Sequence, residues 1–201
     1  MRANDIQAAE DQPAMSPWLY KAVLPLLLGG IVLVAGLAYW RESGAAGGPP
    51  GISSGPAMAP AFEGKTLAGR EFRFPDDYRG KIVLLDFWAT WCPPCRVEFP
   101  HLREVHEQFN DQGLEILGIS LDAPNGVSSE TVRSFMRDNQ AQWDTVYEGV
   151  MPIARAYRVV GIPVAYLVDG NTGAILAHGG ELRGGSLSKT IAAALQKRTS
   201  D

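Results

Sequence analysis

A chain of 201 residues, 46% of them hydrophobic, has room for one ordinary globular domain and an accessory segment, which excludes a second enzyme domain. Its formal net charge of -4 comes from scattered acidic and basic residues. That leaves no basic stripe for a phosphate backbone and excludes nucleic acid as a partner.

Residues 1–17 form a polar tail. Ala22 to Trp40 then runs 19 residues without a charge, close to the roughly 20 needed to cross a hydrocarbon core. Trp18 and Tyr20 stand at one end and Tyr39 and Trp40 at the other, as aromatic belts would, with Lys21 and Arg41 as end charges. One transmembrane helix is expected over residues 18–41, in preference to a buried soluble helix. The apolar run is long for a cleaved signal peptide and no clean A-x-A site follows it, so the span is expected to stay as a signal anchor. Arg2 and Lys21 precede it and Arg41 follows, a slight bias that places residues 1–17 in the cytoplasm and the remainder outside. A disulfide persists on that side.

Residues 42–60 read as a linker. Between Gly44 and Pro60, five glycines and four prolines among 17 residues leave too little apolar material for a core. A flexible chain of about 20 residues spans on the order of 25 Å, which keeps the globular domain near the membrane.

From residue 61 to 201 the pattern alternates strands and helices. Short strands are expected around Thr66 to Phe74. Lys81 to Trp88 is apolar on both faces, as a central strand covered by helices would be. A helix then runs to about Asn110, followed by a strand over Leu114 to Ser120 and a helix near Ser128 to Asn139. A short strand at Thr145 to Tyr147 and a short helix near Pro152 to Tyr157 come next. Strands at Ala165 to Val168 and Ala174 to Ala177 flank the turn-rich run Asp169-Gly170-Asn171-Thr172-Gly173 and form a hairpin. A helix over Ser186 to Lys197 ends the domain. This order suits a three-layer α/β sandwich, and no internal repeat is visible.

The two cysteines of the chain, Cys92 and Cys95, fall where the central strand gives way to a helix. A C-x-x-C in this setting reads as a redox dithiol. The first sulfur sits at the helix N-terminus, where free N–H groups and the macrodipole favour thiolate, which makes Cys92 the nucleophile and Cys95 the resolving thiol. Pro94 lies in the first helical turn, where a missing N–H costs nothing. Glu98 follows Cys95 by three residues and shares its helix face, so its carboxylate can take a proton as Cys95 attacks. Asp86 is a carboxylate in an otherwise apolar strand, where burial raises its pKa toward the range useful for exchange with a thiol. Trp88 is expected to pack in the core. Trp91, with Pro93 and Pro94, is assigned to the substrate-facing surface. His101, His106 and His178 are isolated and receive no role.

The stretch Asp86 to Pro100, DFWATWCPPCRVEFP, resembles the active-site signature of the thioredoxin superfamily. Glu98 and Pro100 narrow the resemblance to the membrane-anchored, extracytoplasmic thiol-disulfide oxidoreductases of the TlpA/ResA type, and the likeness runs from about Ala61 to Lys197. The resemblance implies a thioredoxin-like sandwich with a central mixed β-sheet, an acid at Glu98 beneath the cysteines, and a counterpart of the buried thioredoxin aspartate at Asp86. It also implies that Gly161-Ile162-Pro163-Val164 is the loop whose cis-proline, Pro163, faces the disulfide, with Ile162 backbone groups pairing with an extended substrate segment. The location implied is the bacterial inner membrane, with the domain in the periplasm.

The partners implied are a disulfide-bearing extracytoplasmic protein and a membrane thiol electron donor, with no cofactor and no metal. Pro93-Pro94 replaces the histidine-containing dipeptide of strongly oxidising relatives, so a reducing poise is expected. Val164 and Ala165 stand where dedicated cytochrome-maturation members carry an acid, so a broader reduction of protein disulfides is expected, with cytochrome c maturation as one such role. The alternatives are an oxidase or isomerase of the same fold, or a copper chaperone using the two thiolates. A c-type haem site is excluded because Arg96 follows Cys95.

Overall fold

The computed structural model describes residues 58–200. The tail 1–17, the span 18–41 and nearly all of the linker 42–60 lie outside the described residues. Among the described residues, no helix is long and apolar enough to cross a membrane.

Five of the described strands form one mixed sheet in the order β5-β4-β3-β6-β7. Its centre is β3 (Ile82–Trp88), every residue of which is buried. β3 pairs in parallel with β4 (Leu114–Ser120), which pairs in parallel with β5 (Asp144–Val146). On its other side β3 pairs antiparallel with β6 (Val164–Asp169), and β6 pairs antiparallel with β7 (Ile175–His178). The turn between β6 and β7 is fixed by Asp169, whose Oδ1 accepts the N–H groups of Asn171 at 2.7 Å and Thr172 at 3.0 Å. This is the local competition that makes Asp-Gly-Asn runs turns.

Alternation along β3 sends its side chains into two cores. Ile82, Leu84 and Trp88 face α1 (Pro93–Phe109), α2 (Ser129–Asp138) and α4 (Gly184–Ser200). Val83, Leu85 and Phe87 face α3 (Val150–Ala156) and a separate hairpin, β1 (Phe62–Lys65) with β2 (Glu71–Phe74). The result is the expected three-layer sandwich. α1 buries Cys95, Phe99, Leu102, Val105 and Phe109, one stripe at helical spacing, and α4 lays Leu187, Ile191 and Leu195 over the same face.

Of the short strands expected around Thr66 to Phe74, β2 forms at the C-terminal end, the residues before it make a turn, and β1 lies ahead of the expected range. Gly69 adopts φ +92° and turns the chain back, so Thr66 N donates to Arg70 O. Thr66 bridges Val146 and Leu67 N donates to Thr145 O, while Arg70 Nη2 meets Asp144 Oδ2 at 2.6 Å. The turn therefore covers the open side of β5, which would otherwise be a bare sheet edge. Met58 bridges Ala174 and Tyr157 donates its hydroxyl to Pro60 O, so residues 58–60 lie against the β6–β7 turn and α3.

Phe99 packs between Trp88, Phe135 and Trp143, with ring centroids 4.7, 4.9 and 5.6 Å away. Phe99→Ala should cost about 3–5 kcal/mol by emptying this slot. Urea unfolding of the oxidised protein measures it, and a loss below about 1 kcal/mol would mean that the α1 face does not anchor the core.

Candidate active site

β3 ends at Trp88, and the chain turns through Ala89-Thr90-Trp91 into Cys92, which caps α1. Leu121 N donates to Trp88 O at 2.8 Å, tying the exit of β3 to the residue after β4. Asp122 then clamps the turn. Its fully buried carboxylate accepts the Thr90 N–H at 3.0 Å, the Thr90 hydroxyl at 2.6 Å and the Ser120 hydroxyl at 2.8 Å. A buried carboxylate is tolerable when it collects donors in this way. Asp122 was not among the expected site residues. Its signal is the Ser120-Leu121-Asp122 run at the carboxyl end of a parallel strand, the edge where α/β folds carry their sites.

Cys92 and Cys95 are joined as a disulfide with a Cα–Cα distance of 5.3 Å. Cys92 has extended backbone angles, φ -91° and ψ 104°, and its sulfur accepts the Cys95 N–H at 3.2 Å, so the sulfur takes the place of a capping oxygen. Pro93 and Pro94 occupy the first turn and need no N–H partner there. In this oxidised form the cysteines are covered, at 3% and 2% exposure. Pro93 and Pro94 are exposed beside them, and Trp91 is 49% exposed, whereas Trp88 is wholly buried.

The Ile162–Pro163 peptide bond is cis. Phe87 pairs with Val164 at the start of β6, so Pro163 lies at the end of the sheet where β3 runs out toward Cys92. Ile162 is half-buried and packs against both cores. Val160, two residues before it, is 99% exposed.

Asp86 lies on the α1 face of β3 between Leu84 and Trp88, in register with Gly118 of β4 and Ala165 of β6. These small neighbours leave its carboxyl room while the sheet keeps water out. A Cβ on Gly118 would stand 2.6 Å from Thr145 Oγ1 and 2.9 Å from Trp88 Nε1, so polar atoms crowd over this glycine. Asp86 Oδ1 is buried and has no hydrogen-bond partner among the described residues. Burial pushes its pKa up from 3.8 to about 7, with Arg183 opposing the rise and Glu98 adding to it. Glu98 is half-buried on α1, and its Oε2 accepts the Gly184 N–H at 3.3 Å, tying α1 to the head of α4. The structure thus brings the acids Asp86 and Glu98 into electrostatic contact on the side of the sheet that carries the cysteines. Arg183 joins them from a part of the sequence where no site residue was expected.

The profile of the AhpC/TSA family matches residues 57–176. The chain is 31% identical over 139 residues to the thiol-disulfide oxidoreductase ResA of Bacillus subtilis (strain 168), covering 69% of this chain and 74% of the relative. It is 36% identical over 115 residues to ResA of Geobacillus thermodenitrificans (strain NG80-2), covering 57% of this chain and 63% of that relative, less than two thirds of its length. Among solved structures it is similar to the thioredoxin domain of a thiol-disulfide oxidoreductase from Bacteroides vulgatus, with a TM-score of 0.62 and 32% identity, covering 72% of this chain and 99% of that one. A thiol:disulfide interchange protein from Bacteroides sp. gives a TM-score of 0.61 and 32% identity, over 72% and 91% of the two chains.

Two outcomes test this geometry. The unfolded chain ionises Asp86 above about pH 4 while the folded protein keeps it protonated to about 7, so folding takes up a proton in that window. Stability of the oxidised protein should fall as pH rises from about 4 to about 7, by on the order of 4 kcal/mol. Asp86→Asn should flatten that slope and leave the variant more stable than the parent at pH 8, whereas parallel pH profiles would contradict a protonated Asp86. Asp122→Ala strands the Thr90 and Ser120 donors and should cost about 2–3 kcal/mol in denaturant unfolding. A loss within about 0.5 kcal/mol, the usual range for a surface change, would show that the clamp contributes nothing.

Proposed function

We propose, from the premise that the chain belongs to the AhpC/TSA family and is a TlpA/ResA-like thiol-disulfide oxidoreductase of the thioredoxin superfamily, that it works as a membrane-anchored, extracytoplasmic reductant of protein disulfides. The observation that carries this reading is the Cys92–Cys95 disulfide at the head of α1, backed by Asp86 and Glu98. In the reduced protein the Cys92 thiolate attacks one sulfur of a substrate disulfide, forms a mixed disulfide and releases the first substrate thiolate. Cys95 then loses its proton to the acid pair and attacks the Cys92 sulfur. The second substrate thiolate leaves and takes up a proton, and two electrons have passed to the substrate. The disulfide of the structure is the product state, and a membrane dithiol donor returns it to the reduced form.

The direction rests on the site's charge. Pro93 and Pro94 place no cation between the sulfurs, and two acids lie on the sheet face that carries them, so the thiolate favoured at the helix head gains less than a neighbouring cation would add and the potential stays low. The anchor rests on the uncharged stretch Ala22 to Trp40, and the periplasmic side of a bacterial inner membrane rests on the basic residues that precede it. Trp91, Pro93, Pro94, Ile162 and Pro163 form the rim on which an extended substrate segment lies, with apocytochrome c cysteines as one candidate substrate.

Equilibration of the full chain in detergent with a thiol-disulfide buffer should give a potential below about -220 mV, and a value near -120 mV, that of a strong oxidant, would overturn the reductant reading. Cys95→Ser should accumulate mixed disulfides through Cys92 in intact cells. Their absence while Cys92 stays alkylatable would contradict the assigned order of attack.

A further inference from the structure

Arg183 enters between the 3-10 turn Gly179–Leu182 and α4. The residue is half-exposed, yet its Nη2 is buried without a hydrogen-bond partner among the described residues, as is Asp86 Oδ1. An unpaired guanidinium nitrogen taken out of water is costly, so its placement near buried Asp86 and half-buried Glu98 calls for a compensating charge. The next residue, Gly184, donates its N–H to Glu98 Oε2, which fixes the backbone of this corner to the second acid. Charged groups reach Asp86 from two elements: Glu98 from α1, and Arg183 from the segment before α4. β4 and β6 set Gly118 and Ala165 opposite it, and Cys92 and Cys95 belong to the core on that face.

Building on the assignment of Asp86 and Glu98 as the acids that serve the dithiol, we propose that Arg183 is a positioning residue of the exchange reaction: its buried guanidinium end stabilises a single negative charge shared by the two acids, so that the pair can accept the Cys95 proton near neutral pH. In the resolving step the S–H proton of Cys95 passes to the acid pair as the Cys95 sulfur bonds to Cys92. The bond between Cys92 and the substrate sulfur breaks, its electron pair leaves with the substrate sulfur, and the pair returns a proton to that sulfur. Without Arg183 nothing offsets the repulsion of Glu98 on Asp86, which then holds its proton more tightly. Less of the pair is then in the proton-accepting form at pH 7, and Cys95 attacks more slowly.

The test monitors the reaction of the reduced full chain with an equimolar chromogenic aryl disulfide, whose second phase reads the attack of Cys95 on the mixed disulfide at Cys92. In Arg183→Gln the pH midpoint of that phase should rise by about one unit, which slows it up to about tenfold at pH 7. Arg183→Lys, which keeps the charge, should restore the midpoint. A uniformly slower phase with an unmoved midpoint in Arg183→Gln would mark a merely structural role and overturn the proposal, as would a raised midpoint that Arg183→Lys does not restore. Asp86→Asn separates the two levels. If it shifts the midpoint while Arg183→Gln does not, the Arg183 inference fails alone. If Asp86→Asn and Glu98→Gln both leave the midpoint unmoved, the acid assignment beneath it fails as well.

Discussion

The Cys95 N–H that donates to Cys92 Sγ is one of the free donors that every helix leaves at its N-terminus. Here the acceptor is the sulfur proposed to attack, so in the proposed reaction the capping interaction of α1 also favours a thiolate at Cys92. This works because β3 stops at Trp88 and the next residues cannot wander. Leu121 holds the Trp88 carbonyl, and Asp122 holds Thr90 by both its N–H and its hydroxyl. The strand, the clamped turn and the capped helix act as one unit, and the pair of sulfurs takes its position from all three.

Behind that unit lies a polar patch inside an apolar face. Asp86 replaces what alternation along β3 would make another Leu or Ile, and Gly118 and Ala165 flank it where larger residues would seal the layer. Burial raises its pKa to about 7, close to the pH at which a thiol must lose its proton. Glu98 comes from the helix that carries the cysteines, and Arg183 from the far end of the domain. The charge state of the patch therefore depends on how α1, β3 and the head of α4 pack together, which makes the proposed thiol chemistry a property of the tertiary fold.

Much of this was legible in the sequence where the signal is local. β3 announces itself by an unbroken apolar run, the β6–β7 turn by Asp169-Gly170-Asn171, and the head of α1 by cysteines and prolines whose spacing leaves little freedom. The hairpin before β3 was less legible, because Thr66 belongs to the covering of β5 and its partner Val146 is far along the chain. Asp122, which clamps the turn, and Arg183, the proposed positioning residue, were not legible in the sequence. Each is an ordinary charged residue by its neighbours in sequence, and each gains its place from elements that meet only after the sheet and α4 have assembled.

The most direct measurement is alkylation of the reduced full chain with iodoacetamide across a pH series, with the modified cysteine identified by mass spectrometry. The account predicts that Cys92 reacts first, with an apparent pKa below the ordinary thiol value of about 8.5, while Cys95 stays unmodified until much later. Preferential reaction at Cys95, or a Cys92 that titrates as an ordinary thiol, would contradict it.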